Sequence, residues 1–207
     1  MGADLQAFRI HKDLLAGLSD EMSYYVHSST KESQNIMGME MKHVSPDIMR
    51  RFMEFCYRGD YLHASGAEND FDDPQKDKDV TVAISLLKTH AKLYVFADMF
   101  NILSLKELSA NKIIALMPFF GKLEDRADAL AVIALMDYVL NSILVTAGTP
   151  DKLVRFLARY AGFFIEELGE YPEFHTVLAA SAGTDFFKVF CRWVKVGDVK
   201  ALWTDVE

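Results

Sequence analysis

Cysteine is scarce in this chain, with two in 207 residues, Cys56 and Cys191. Two cysteines so far apart build no disulfide framework. Each lies in an apolar run, FMEFCYR and FFKVFCRWV, and both read as buried free thiols of a reducing compartment. A basic excess is also missing: 22 Lys and Arg stand against 30 Asp and Glu, for a net charge of -8 and a pI of about 5.2. A nucleic-acid binder releases counterions through a basic stripe. Nothing here exceeds Arg50-Arg51, which suits an exposed helix turn, so no nucleic-acid partner is expected. No basic region followed by an apolar stretch opens the chain, and a secretory signal is therefore not expected. The expected location is cytoplasmic or nuclear.

Long apolar runs are wanting too. The most apolar segment, Ala129 to Ala147, carries Asp137 and Asn141 near its middle. A central Asp opposes membrane insertion by about 3 kcal/mol. The longest unbroken apolar stretch, Ala129 to Met136, is far short of a bilayer span. A helix buried among other helices is expected, and no membrane partner.

Sequence signatures of catalysis are absent as well. Neither a P-loop nor a dinucleotide fingerprint occurs. Gly17-Leu18-Ser19-Asp20-Glu21 lacks the second glycine of a nucleophile elbow. The histidines, His11, His27, His43, His63, His90 and His175, have no zinc-ligand spacing. A calcium loop starting at Asp70 would need glycine where Gln75 stands. Glu166 and Glu167 are adjacent on a helix and point apart. No catalytic, cofactor-binding or metal residue is assigned, no cofactor is expected, and the chain is not expected to be an enzyme.

What is present is apolar patterning: 51% of residues are hydrophobic, enough for a core. Phe8 to Ile10 reads as a short strand leading into a helix from His11 to Met22, with Leu14, Leu15, Leu18 and Met22 at helical spacing. Ile36 to Val44 alternates, with Met37, Met39 and Met41 to one side, the period of a half-buried strand. Ser45-Pro46-Asp47 starts a helix carrying Ile48, Phe52, Phe55 and Cys56, and Gly59 ends it. Tyr61-Leu62 reads as a very short strand, and 63–79 as a solvated acidic loop. Helices follow at Val80 to Met99, Leu103 to Met117 and Glu124 to Val145. Thr149-Pro150-Asp151 starts another, ended by Gly169, and two more lie at Phe174 to Ala180 and Phe186 to Val196.

Two stretches resemble the BTB/POZ domain family. The first is Phe8-Arg9-Ile10-His11-Lys12-Asp13-Leu14-Leu15-Ala16 with Ser19 and Met22, followed by the helix Pro46 to Tyr57 and its Arg58-Gly59-Asp60-Tyr61 turn. Met22 stands where the family has an aromatic residue, a role Tyr24-Tyr25 can take up. The second is His90 to Phe100 with Leu105, similar to the family's late helix pair. The acidic insertion and the helical tail, with Thr149-Pro150 and Pro172-Glu173-Phe174, resemble fungal members.

The resemblance implies an α+β fold: a helix-rich BTB/POZ-like domain with a small sheet over residues 1–117, then an all-helical extension over 118–207. Only Met1 to Ala7 precede Phe8, so the family's first strand is expected to be missing, leaving a sheet edge open to added strands. It further implies a self-associating protein–protein interaction module, a homodimer, and a substrate adaptor for a cullin-type ubiquitin ligase. The alternative is a structural oligomerisation module without ubiquitin-ligase role. The dimer surface would involve Lys12, Leu15, Leu18 and Met22. The cullin-scaffold surface would involve Pro46, Asp47 and Arg50, with the exposed face of Lys92 to Met99.

Overall fold

A computed structural model describes residues 8–28, 44–61, 80–121, 123, 125–143 and 151–194. Among these residues every regular element is a helix. The expected α+β class is therefore corrected: no strand and no sheet occurs in the described part. Phe8 to Ile10 is irregular, as are Val44 and Tyr61. A strand is defined by its ladder to a neighbour, and these short apolar stretches have none. Ile10 and Val44 instead pack against the helical core as single side chains. Residues 36–43, Leu62 and the acidic stretch 63–79 lie outside the described residues.

The chain divides into two compact units, one formed by Met1–Lys76 with Lys92–Ser109, the other by Asp77–Ala91 with Ala110–Glu207. In the first, the expected single helix from His11 to Met22 is two: α1 (Lys12–Ala16) and α2 (Asp20–Ser28). Gly17 closes α1 by donating its N–H to Asp13 O, and the Ser19 hydroxyl restarts the chain by accepting from Met22 N–H at 3.1 Å. Helical spacing survives the break because Leu14, Leu15, Leu18 and Met22 all reach one core.

The next helix, α3 (Pro46–Arg58), turns its stripe of Ile48, Phe52, Phe55 and Cys56 inward. Gly59, at φ 75°, occupies the left-handed C-terminal position where a Cβ would be strained. The first unit's part of α4 (Val80–Met99) adds Leu93, Phe96 and Ala97, with Phe96 set 4.8 Å from Phe52 between ring centres. Helix α4 ends in a Schellman turn: Asn101 takes φ 50°, Ile102 N–H donates to Ala97 O at 2.8 Å, and Asn101 N–H to Asp98 O at 3.1 Å. Asn tolerates this conformation better than most residues. Helix α5 (Leu103–Leu116) follows. Its Lys106 pairs with Asp98 at 2.7 Å, and its Ser109 accepts a 3.2 Å hydrogen bond from the buried Tyr61 hydroxyl.

In the second unit a 3-10 turn (Met117–Phe120) leads towards α6 (Arg126–Ser142). This is the apolar segment expected to be buried, and Ala129, Val132, Ile133, Leu135, Met136 and Val139 are buried, while Asp137 is exposed. Among the described residues no helix is long and apolar enough to cross a membrane. Helix α7 (Lys152–Phe163) is capped by Asp151, whose carboxylate accepts from Leu153 and Val154 N–H. The expected start at Thr149-Pro150 lies outside the described residues, and Asp151 is itself the cap. Three shorter helices complete the unit: α8 (Ile165–Leu168), α9 (Pro172–Ala180) and α10 (Asp185–Trp193). Helix α10 lies along α7, while α6 meets α7, α8 and α9. Tyr160 of α7 is fully buried and donates to Phe120 O at 2.6 Å.

Candidate functional site

The residues expected to bind partners fall into three environments. Lys12, Pro46, Asp47 and Arg50 are exposed, and Leu15 and Leu18 are half-buried at the edge of the first unit's core. Met22 has no exposed surface and belongs to that core, so its expected place on a dimer surface is corrected. It sits inward because Ser19 caps α2 and sets the helix's register.

The set is also spread out. His11, next to Lys12, is held at the C-terminal end of α3: its backbone N–H donates to the Tyr57 hydroxyl at 3.3 Å, and its ring Nδ1 lies 2.7 Å from the same oxygen. Pro46, Asp47 and Arg50 lie in the N-terminal part of α3, roughly 10–16 Å from Tyr57 along the axis at 1.5 Å of rise per residue. Asp47 and Arg50 pair with each other at 2.8 Å, with side chains 82% and 55% exposed. Such an exposed pair adds little stability. On the stretch Lys92 to Met99 only Lys92 and Met99 are exposed; the rest is buried or half-buried.

A different constellation emerges where α2 meets the turn after α4. Ser19 Oγ donates to Phe100 O at 2.6 Å, and Asn101 Nδ2 donates to Glu21 Oε1 at 3.2 Å. Met99 and Leu103 flank Asn101 two residues to either side, and Tyr24 lies one helical turn beyond Glu21. These three large side chains are the most exposed apolar groups among the described residues: Tyr24 at 72%, Leu103 at 69% and Met99 at 59%. Leu103 was missed in the sequence, although it falls off the inward stripe of Leu105, Leu108, Ile113 and Leu116. Tyr24 points outward.

Reactive chemistry is poor in the described part. Burial pushes the Cys56 thiol up to about 12, which keeps it neutral and inert. Cys191 is exposed, correcting the reading of two buried thiols. Burial also raises the Tyr61 and Tyr160 hydroxyls, for Tyr160 with the negative charges of Asp128 and Glu167 adding to it. Among the described residues no group of His, Cys, Asp or Glu is placed to hold a metal ion. In comparisons with known proteins, no family model, curated protein or solved structure matches this chain.

Proposed function

We propose that this chain is a non-enzymatic protein–protein interaction module that associates with a second copy of itself. The observation that carries this reading is the exposed corner of Tyr24, Met99 and Leu103. Large apolar side chains gathered on a surface mark interaction sites more often than solvated ones. Burying one such side chain fully stabilises an interface by roughly 1.5–3 kcal/mol. The corner is well braced, since two hydrogen bonds from Ser19 and Asn101 fix α2 against the turn that carries Met99 and Leu103. A braced surface loses little conformational freedom on association.

The resemblance of residues 8–22, 46–61 and 90–105 to the BTB/POZ family supports self-association. It also supports the finer reading, a homodimeric substrate adaptor on a cullin-type scaffold, docking through Pro46, Asp47 and Arg50. The test is light scattering coupled to size exclusion, on the chain alone and mixed with a cullin N-terminal region. A dimer that Y24S/L103S turns into a folded monomer supports the interaction corner. A parent monomer at high micromolar concentration overturns it. A stoichiometric complex with the cullin region, lost in D47K/R50E, supports the adaptor reading. A dimer indifferent to the cullin leaves an oligomerisation module without ligase role.

A further inference from the structure

Methionine sulfur is shielded almost everywhere in the described part. Met22, Met117 and Met136 have no exposed surface, and Met49 and Met53 are half-buried. Among the described methionines Met99 alone is exposed, at 59%. It is the last residue of α4, and the turn after it is held by hydrogen bonds: Ile102 N–H donates to Ala97 O at 2.8 Å, and the Asn101 side chain donates to Glu21 at 3.2 Å. The thioether therefore stands outside the core on a braced stretch of backbone, four residues before the exposed Leu103. A flexible, polarisable methionine suits an adaptable binding surface. It is also an apolar side chain that a peroxide turns polar.

We infer that Met99 is a modification site that controls self-association: oxidation of its thioether by a peroxide separates the two copies, and reduction of the sulfoxide rejoins them. This rests on the proposed self-association and adds the regulation of that same corner. The sulfur attacks one peroxide oxygen, an S–O bond forms as the O–O bond breaks, and the departing hydroxide takes the remaining proton and leaves as water. The sulfur is oxidised and the peroxide reduced. The sulfoxide is a strong hydrogen-bond acceptor, and covering it with an apolar patch strips its water without replacing it. In a two-fold pair the same patch meets itself, so the cost is incurred by both copies. Because Met99 lies outside the core, the fold survives the change, as it would not at the fully buried Met22. A second copy covers the sulfur, so the peroxide reaches it through the separated chain.

The test treats the full chain with hydrogen peroxide, then with dithiothreitol, which returns reversibly oxidised Cys191 to the thiol and leaves a sulfoxide in place. Peptide mass mapping follows Met99, light scattering follows the dimer, and far-UV circular dichroism follows the fold. The expected result is a helical chain, oxidised at Met99, whose dimer is weaker by roughly tenfold or more. Methionine sulfoxide reductases for both epimers, driven by dithiothreitol, should restore it: the oxygen leaves as water and the dithiol becomes a disulfide. M99L should dimerise and ignore peroxide, and M99Q, polar from the start, should be weak without it. Sulfoxide formation at Met99 should slow as protein concentration rises through the dimerisation range. A rate indifferent to concentration, an intact dimer with Met99 fully oxidised, equal dissociation of peroxide-treated M99L, or loss of helix in the oxidised chain would each overturn the inference. An intact oxidised dimer that Y24S/L103S still separates leaves the proposed function standing, whereas an untreated parent that is monomeric overturns both.

Discussion

In the first unit, helices are held together by large side chains filling the space between them. Phe52, Phe96 and Phe100 form a chain of ring contacts at 4.8 and 4.9 Å, with Met22 and Tyr61 fully buried in the same cluster. In the second unit, α7 meets α10 through the near-absence of a side chain. Gly162 leaves room for Trp193 Cβ and the Phe190 carbonyl, and Ala158 and Ala161 are buried on the same helix. A core filled by rings suffers from removal of volume, whereas a close crossing suffers from its addition. The surfaces differ too. The first unit exposes an apolar corner, and in the second the Arg159 guanidinium lies over the Trp193 ring at 4.9 Å.

The strongest way to probe this contrast is Phe52→Ala, which empties the centre of the ring cluster and should cost about 3–5 kcal/mol. Denaturant unfolding measures the loss, and hydrogen exchange locates it. Faster exchange in α3 with α7 amides unchanged would keep the two units distinct; equal acceleration in both would show a single cooperative body. Gly162→Ala works in the opposite direction, adding volume, and should cost about 1–3 kcal/mol. A neutral result in thermal unfolding would mean that α10 moves aside freely. Asp151→Ala removes the cap of α7 and should cost about 1 kcal/mol, read as faster exchange at the Leu153 and Val154 amides, its two recipients.

The smallest effect is chemical. A thiol reagent should modify Cys191 quickly and Cys56 only after unfolding. The Cys56 thiol is raised by burial from 9.0 to about 12, so folding favours its neutral form. That contribution is complete below pH 9 and is lost as pH rises towards 12. Rapid reaction of both cysteines at neutral pH would show that the first unit's core opens.

Much of the helical layout was legible. Val80 to Met99 matches α4, and Ser45-Pro46-Asp47 with Gly59 bracket α3 as their backbone preferences require. The apolar α6 was legible as a buried helix because Asp137 interrupts it. Three readings failed for physical reasons. Phe8 to Ile10 is too short for a period to separate a strand from an extended lead-in. The break at Gly17-Leu18 leaves the leucine spacing unchanged, so periodicity could not reveal it. Cys191 sits among aromatic residues in sequence, yet faces away from Phe186 and Phe190 on the helix. Of the candidate surface, Lys12, Pro46, Asp47 and Arg50 are exposed, whereas Met22 is buried.

Local chemistry by itself determined where α3 and α4 run and which side of α3 faces inward, because caps, glycine turns and the 3.6-residue repeat act within a few residues of chain. Only the tertiary structure decided which apolar residues stay outside. The helix that carries Tyr24 is joined to the turn between Met99 and Leu103 by Ser19 to Phe100 and Glu21 to Asn101, contacts between residues about eighty apart in sequence, and no local pattern encodes a meeting of that range.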